Sequence, residues 1–219
     1  EVRVTDDGNA TSTDFQTITI EVTDVNDAPV LAYPGLLSHE ENSLVLIDLN
    51  ATDADGGERK PDVLFASDSN LIGWFSNKGH GSFDNTLNPI PTETGEHYAL
   101  AAGDLDNDGD LDVVSVARGN DSIGVYENEG AGVFGTSHPI VSNFLADPVS
   151  VLLRDLDGDE YLDVVVASYA DGKVSWFRNE GDYRFTEMIL SENAVGASSL
   201  WTADMDGDGD QDVLVALGK

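Results

Sequence analysis

Three segments of the chain are variants of one another. They read DLDNDGDLDVVSVA from Asp104 to Ala117, DLDGDEYLDVVVAS from Asp155 to Ser168, and DMDGDGDQDVLVAL from Asp204 to Leu217. Their starts are 51 and 49 residues apart. A repeat of that period constrains the fold more than any local propensity, because each copy is one supersecondary unit that buries its apolar faces against the next. Asp53 stands 51 residues before Asp104, in the degenerate copy DADGGERKPDVLFAS, which has one extra residue before Asp62.

The likeness extends past the Asp segments. Each leads through a polar turn to a strand-like stretch that carries a large pair: Trp74-Phe75, Val125-Tyr126 and Trp176-Phe177. Then come Asn, a charged residue and Gly, and a Phe a few residues on (Phe83, Phe134, Phe185). Short strands are predicted after each Phe, as at Pro139-Ile140-Val141, and before each Asp segment, at Tyr98–Leu100, Val149–Leu152 and Ser199–Trp201. The runs are rich in Val, Ile and aromatics, are bounded by turn residues, and show no helical stripe. Four short strands per 50-residue unit predict an all-β chain of propeller blades. Residues 58–219 hold three blades and the start of a fourth, too few to imply closure.

Each Asp segment places Asp at positions 1, 3, 5 and 9 of a loop. These are Asp104, Asp106, Asp108 and Asp112; Asp155, Asp157, Asp159 and Asp163; and Asp204, Asp206, Asp208 and Asp212. The position-7 carbonyl of Asp110, Tyr161 or Asp210 adds a possible ligand. Gly109 and Gly209 at position 6 allow a sharp turn with positive φ. Glu160 stands there in the second loop, which is therefore expected to be strained or weaker. Carboxylates 4 Å apart repel by roughly 4 kcal/mol per pair at an effective dielectric near 20. Such a loop protonates, splays or binds a cation, and its oxygen donors favour calcium over magnesium. An EF-hand needs Glu at position 12 and flanking helices; here position 12 is Ser115, Val166 or Val215, inside β-branched runs.

Composition agrees with a cation as partner. The 42 acidic residues outnumber 10 basic ones, for a net charge of −32. A chain so poor in Lys and Arg has no basic face for nucleic acid or for an anionic membrane surface. Hydrophobic residues make up 40%, enough for a core. With no Cys there are no disulfides and no thiolate metal sites. No apolar run approaches the length of a membrane span, so no direct membrane insertion is expected. The chain opens and stops inside strand-like patterns and reads as a fragment of a longer protein.

The combination of Asp loop, Trp-Phe pair, Asn-x-Gly turn and following Phe resembles the FG-GAP (VCBS-type) family of extracellular propeller repeats, over about residues 58–219. The resemblance implies a β-propeller, with calcium held at the twelve Asp positions in loops between the first and second strands of a blade. The copy at Asp53 lacks a clear fifth-position Asp and departs from the pattern.

The N-terminal quarter is different. The alternating run QTITIEVT at residues 16–23 predicts a half-buried strand. DVNDAP follows from Asp24, and ATDADGG from Ala51. These resemble cadherin-like repeats of bacterial surface proteins. The resemblance implies that residues 1–28 are the last strands of a cadherin-like β-sandwich, with Asp24, Asn26 and Asp27 in an interdomain calcium linker and Asp53 and Asp55 as its partners. Glu41 would serve a further junction. Residues 29–57 read as the start of a second such repeat or as a linker, so Asp53 and Asp55 have two competing assignments. The junction is either a natural fusion or a joining of fragments.

No catalytic constellation stands out. His39, His80, His97 and His138 share no repeated position, and the regularly spaced acids are absorbed by the loops. Asn9, Asn50 and Asn120 head glycosylation sequons. The expected function is a non-enzymatic, calcium-binding extracellular or cell-surface module for adhesion or ligand binding, with a surface protein or glycan as partner. The alternative is an accessory carbohydrate-binding propeller of a secreted polysaccharide-degrading enzyme, with the Trp-Phe pairs stacking on sugar rings.

Overall fold

The computed structural model describes residues 44–47, 61–67, 70–79, 82–92, 95–140, 142 and 145–218, the first group by its backbone alone. All belong to one compact unit, Tyr33–Lys219. Asp24, Asn26, Asp27, Asp53, Asp55 and Glu41, with the cadherin-like readings they carry, lie outside the described residues, as do Asn9, Asn50, His39 and His80. No described helix is long and apolar enough to cross a membrane.

The described elements are all strands. β1 (Leu44–Ile47), β2 (Asp62–Ser67) and β3 (Leu71–Phe75) are followed by a small hairpin, β4 (Asn77–Gly79) with β5 (Ser82–Phe83), and by β6 (Asn88–Ile90). The first sheet has the order β1-β2-β3-β6. It thus takes its opening strand from Leu44–Ile47, ahead of the boundary expected at residue 58. The second sheet joins β7 (His97–Gly103), β8 (Asp112–Ala117), β9 (Ser122–Asn128) and β10 (Phe134–Ser137). The third joins β11 (Pro148–Arg154), β12 (Asp163–Ser168), β13 (Val174–Asn179) and β14 (Phe185–Ser191). β15 (Ala197–Ala203) and β16 (Asp212–Leu217) form a two-stranded sheet. All pairings are antiparallel, and each four-stranded sheet follows chain order apart from the inserted hairpin.

The outer strands begin at the repeated Phe rather than after it. β10 starts at Phe134 and β14 at Phe185. Of the strand expected at Pro139–Val141, the described residues Pro139 and Ile140 show one bridge, Ile140 with Ile123. Pro139 has no N–H to give a ladder.

The core lies between successive sheets, and the two-residue period of a strand explains how. In β8, Val113 faces the first sheet with Leu100, Ala102 and Tyr126, meeting Leu64, Ile72 and Trp74. Its neighbours Val114 and Val116 face the third sheet and meet Val151, Leu153, Val164, Val166 and Phe177. In β12, Val164 and Val166 point back, while Val165 and Ala167 pack forward on Ala197 and Leu200. Covered on both faces, β8 and β12 are buried at all six positions, which is why their sequences are near-continuous apolar runs. Fully burying one such Val contributes about 1.5–3 kcal/mol. β16 has the same kind of sequence but is only partly covered, because no sheet packs on its far face among the described residues.

Strand β2 contacts β7, β7 contacts β11, and β11 contacts β15, so the sheets stack in series. The indole of Trp74 reaches the β9–β10 turn, where a side chain at Gly132 would collide with its Cζ2. Gly132 also has φ +73°, so both space and backbone require glycine there.

Candidate metal centre

Each Asp loop is the link between a sheet's first and second strands: β7–β8, β11–β12 and β15–β16. The three loops share one backbone design. Positions 4 and 6 are both left-handed, as Asn107 and Gly109, Gly158 and Glu160, and Gly207 and Gly209. Glu160 holds φ +72° without being glycine, the strain its sequence position predicts. The need at position 4 is met by Asn or Gly, the residues that tolerate this region best.

These turns aim backbone N–H groups at the carboxylates. In the first loop Asp108 and Gly109 donate to Asp104 (3.1 and 3.0 Å), and Asp110 donates to Asp108 (2.9 Å). In the second, Asp159 and Glu160 donate to Asp155, and Tyr161 to Asp159 (3.0 Å). In the third, Gly207 and Gly209 donate to Asp204 (2.7 and 3.1 Å), and Asp210 to Asp208 (2.9 Å). Asp110, Tyr161 and Asp210 thus orient position 5 through their amides.

Each loop gathers three carboxylates within 4.8 Å of one another: Asp104, Asp106 and Asp108; Asp155, Asp157 and Asp163; Asp204, Asp206 and Asp212. Of the four expected per loop, Asp112, Asp159 and Asp208 stand outside these groups. The donor set is all hard oxygen on a pre-formed loop, which fits an ion such as calcium. When bound, such an ion supplies positive charge that cancels the carboxylate repulsion. The chain's part is to hold those oxygens convergent with its own amides.

The position-9 Asp has a further role that spacing did not disclose. Asp112 accepts from Leu105 N (3.0 Å) with one oxygen and from Asn128 N (2.9 Å) with the other. Asp163 does the same with Leu156 N and Asn179 N (3.1 and 2.8 Å). Asp212 accepts from Met205 N (2.9 Å). The Asn then closes the clamp. Asn128 donates to Leu111 O and accepts from Gly130 N; Asn179 donates to Leu162 O and accepts from Gly181 N. Asp62, Asn77, Gly79 and Pro61 repeat the arrangement in the first sheet. The recurring Asn-x-Gly was the visible signal for it.

Clamps and loops touch across sheets. Asn179 also donates to Leu105 O (2.7 Å) in the first loop, and Asn107 to Glu160 O (3.2 Å) in the second. Tyr183 donates to Asp112 (3.2 Å) and stacks on His138, their ring centroids 4.3 Å apart. Burial holds the Tyr183 hydroxyl well above its ordinary range and His97 below its own.

Burial pushes Asp112 up to about 7, against the amides of Asn128 and Leu105, which favour its charged form. Asp104 and Asp163 are raised from the same cause. Between the ordinary carboxylate value and 7, the folded chain keeps a proton at Asp112 that the unfolded chain has lost. Stability without metal therefore falls as pH rises through this window. From pH 5 to 7 the expected loss is about 2 kcal/mol, the slope of roughly 1.4 kcal/mol per pH unit easing as Asp112 begins to ionise. Denaturant unfolding in excess chelator measures it; stability that rises with pH would refute the assignment.

The model of the FG-GAP-like repeat family matches residues 53–115, 105–166 and 155–215. No curated protein shows significant similarity to the chain. A solved Agrocybe aegerita lectin, described as recognising non-reducing terminal N-acetylglucosamine, is 19% identical over 81% of this chain and 48% of its own, with a TM-score of 0.55. The V. cholerae biofilm matrix protein Bap1 is 21% identical over 81% of this chain and 29% of its own, with a TM-score of 0.49. The chain spans less than half the length of either neighbour.

Proposed function

This chain belongs to the FG-GAP-like repeat family, and we propose that it is a calcium-stabilised, non-enzymatic module for adhesion or ligand binding outside the cell or on its surface. The observation that carries the reading is the threefold recurrence of convergent carboxylates, each set fixed by the amides of its own loop. The four-stranded sheets are its propeller blades, a reading supported by their stacking in series. Calcium clips the link between the first two strands of a blade, and the Asn179 clamp carries that rigidity into the neighbouring blade. Extracellular calcium modules typically bind at about 0.1–1 mM, so the module is firm outside a cell and loose at cytosolic calcium.

A glycan is the favoured ligand, supported by the likeness of fold to the N-acetylglucosamine-recognising lectin. Trp74 and Phe177 are too buried to form its platform. Trp74 is 7% exposed and Phe177 1%, and both lie in the core between sheets. Trp176 is partly buried against the next core. A role as the accessory propeller of a polysaccharide-degrading enzyme therefore has to rest on other surfaces. A glycan array probed in millimolar calcium and again in chelator tests the proposal. Binding to a defined set of sugars, lost in chelator, is the expected result. No binding in calcium would remove the glycan and leave a protein ligand; equal binding in chelator would detach recognition from the loops.

A further inference from the structure

The second Asp loop has a cation of its own. Arg178, on β13 beside the clamp residue Asn179, places Nε 2.7 Å from Asp157 Oδ2 and Nη2 3.8 Å from Asp159 Oδ2. The contact is one of charge rather than an aligned hydrogen bond, since the Nε–H finds no acceptor in line. The residues at the matching place in the other sheets are Ser76 and Glu127, each just before its clamp Asn. Glu127 pairs instead with His138, at 2.8 Å. Among the described residues no Lys or Arg ion pair reaches an acid of the first or third loop.

We propose that Arg178 sets the cation affinity of the second loop, acting as an internal counter-ion that a divalent cation must displace or bind beside. The inference rests on reading the loops as calcium sites. Asp157 belongs to the convergent group of that loop, so the guanidinium occupies an oxygen that the ion needs. Repulsion between its +1 charge and the +2 of a neighbouring ion, a few ångströms off in a nearly aqueous dielectric, would lower affinity about tenfold. The first and third loops therefore fill first, and the second fills at higher calcium. Without the ion, the second loop keeps two of its acids partly neutralised.

Calcium titrated calorimetrically into the chelator-stripped chain tests this. The native chain is expected to show one step about tenfold weaker than the rest, and Asp155→Asn is expected to remove that step. Arg178→Gln is expected to tighten it about tenfold, while Arg178→Lys keeps it weak. Arg184→Gln makes the same change in net charge at an exposed pair with Asp182 and is expected to leave the titration unaltered. Circular dichroism of each variant establishes that it folds. An unchanged or weakened step in Arg178→Gln, or an equal gain in Arg184→Gln, overturns the proposal while calcium binding stands. Absence of calcium binding in every variant overturns the calcium reading itself and this proposal with it.

Discussion

Adding calcium to the chelator-stripped chain is expected to raise its melting temperature by about 20 °C. With calcium at 100 times the dissociation constant of the weakest loop, each loop gains at least about 2.7 kcal/mol, so three together contribute at least about 8 kcal/mol. In a chain of this size each kcal/mol moves the midpoint by roughly 2–4 °C. The effect is large because the ion-free loops hold charges that burial already disfavours, as the raised Asp104 and Asp163 of the convergent groups show. Magnesium is expected to do less, since it demands near-octahedral geometry and gives up its water reluctantly. Scanning calorimetry in calcium, magnesium and chelator decides the matter. Identical midpoints in all three would reduce the loops to solvated Asp turns.

Asn179→Ala is expected to cost about 5 kcal/mol, and Asn77→Ala about 1–2 kcal/mol. Both residues do the same work in different surroundings. Asn179 is fully buried and serves Leu105 O, Leu162 O and Gly181 N through its side chain. Truncation leaves those three backbone groups without partners, at about 1–3 kcal/mol each. Asn77 is half-buried, and its partner Pro61 O is exposed, so water takes over. Denaturant unfolding of the two variants compares them directly. Equal losses would mean that the clamp has no special strength where it crosses between sheets.

The strand pattern and the loops were legible in the sequence because both depend on local period. Apolar runs such as DVVSVA and DVVVAS announce strands covered on both faces, and Asp at alternate positions announces convergent oxygens. Glu160 was legible too, since position 6 needs a positive φ that only glycine adopts freely. What stayed hidden depends on neighbours distant in sequence. The bond from Asn179 to Leu105 spans two sheets, and no spacing within one repeat encodes it. Arg178 meets the second loop only because β13 lies beside β12. Sequence alone leaves the Trp-Phe pairs free to stack on sugar rings, and the stacking of sheets, which places Gly132 under Trp74, puts that residue in the core.

The clamp in the first sheet has an evolutionary consequence. Asp62, Asn77 and Gly79 keep the Asn-centred part of the bonding pattern in a repeat whose loop sequence, DADGG, lacks a fifth-position acid. Side-chain-to-backbone bonds there tie the strands of the sheet together, whatever becomes of the ion. A gene that grows by duplicating such repeats can let the acids of one copy drift without unravelling the row. Selection then acts on each loop separately, and an array of this kind can hold working and decayed copies side by side.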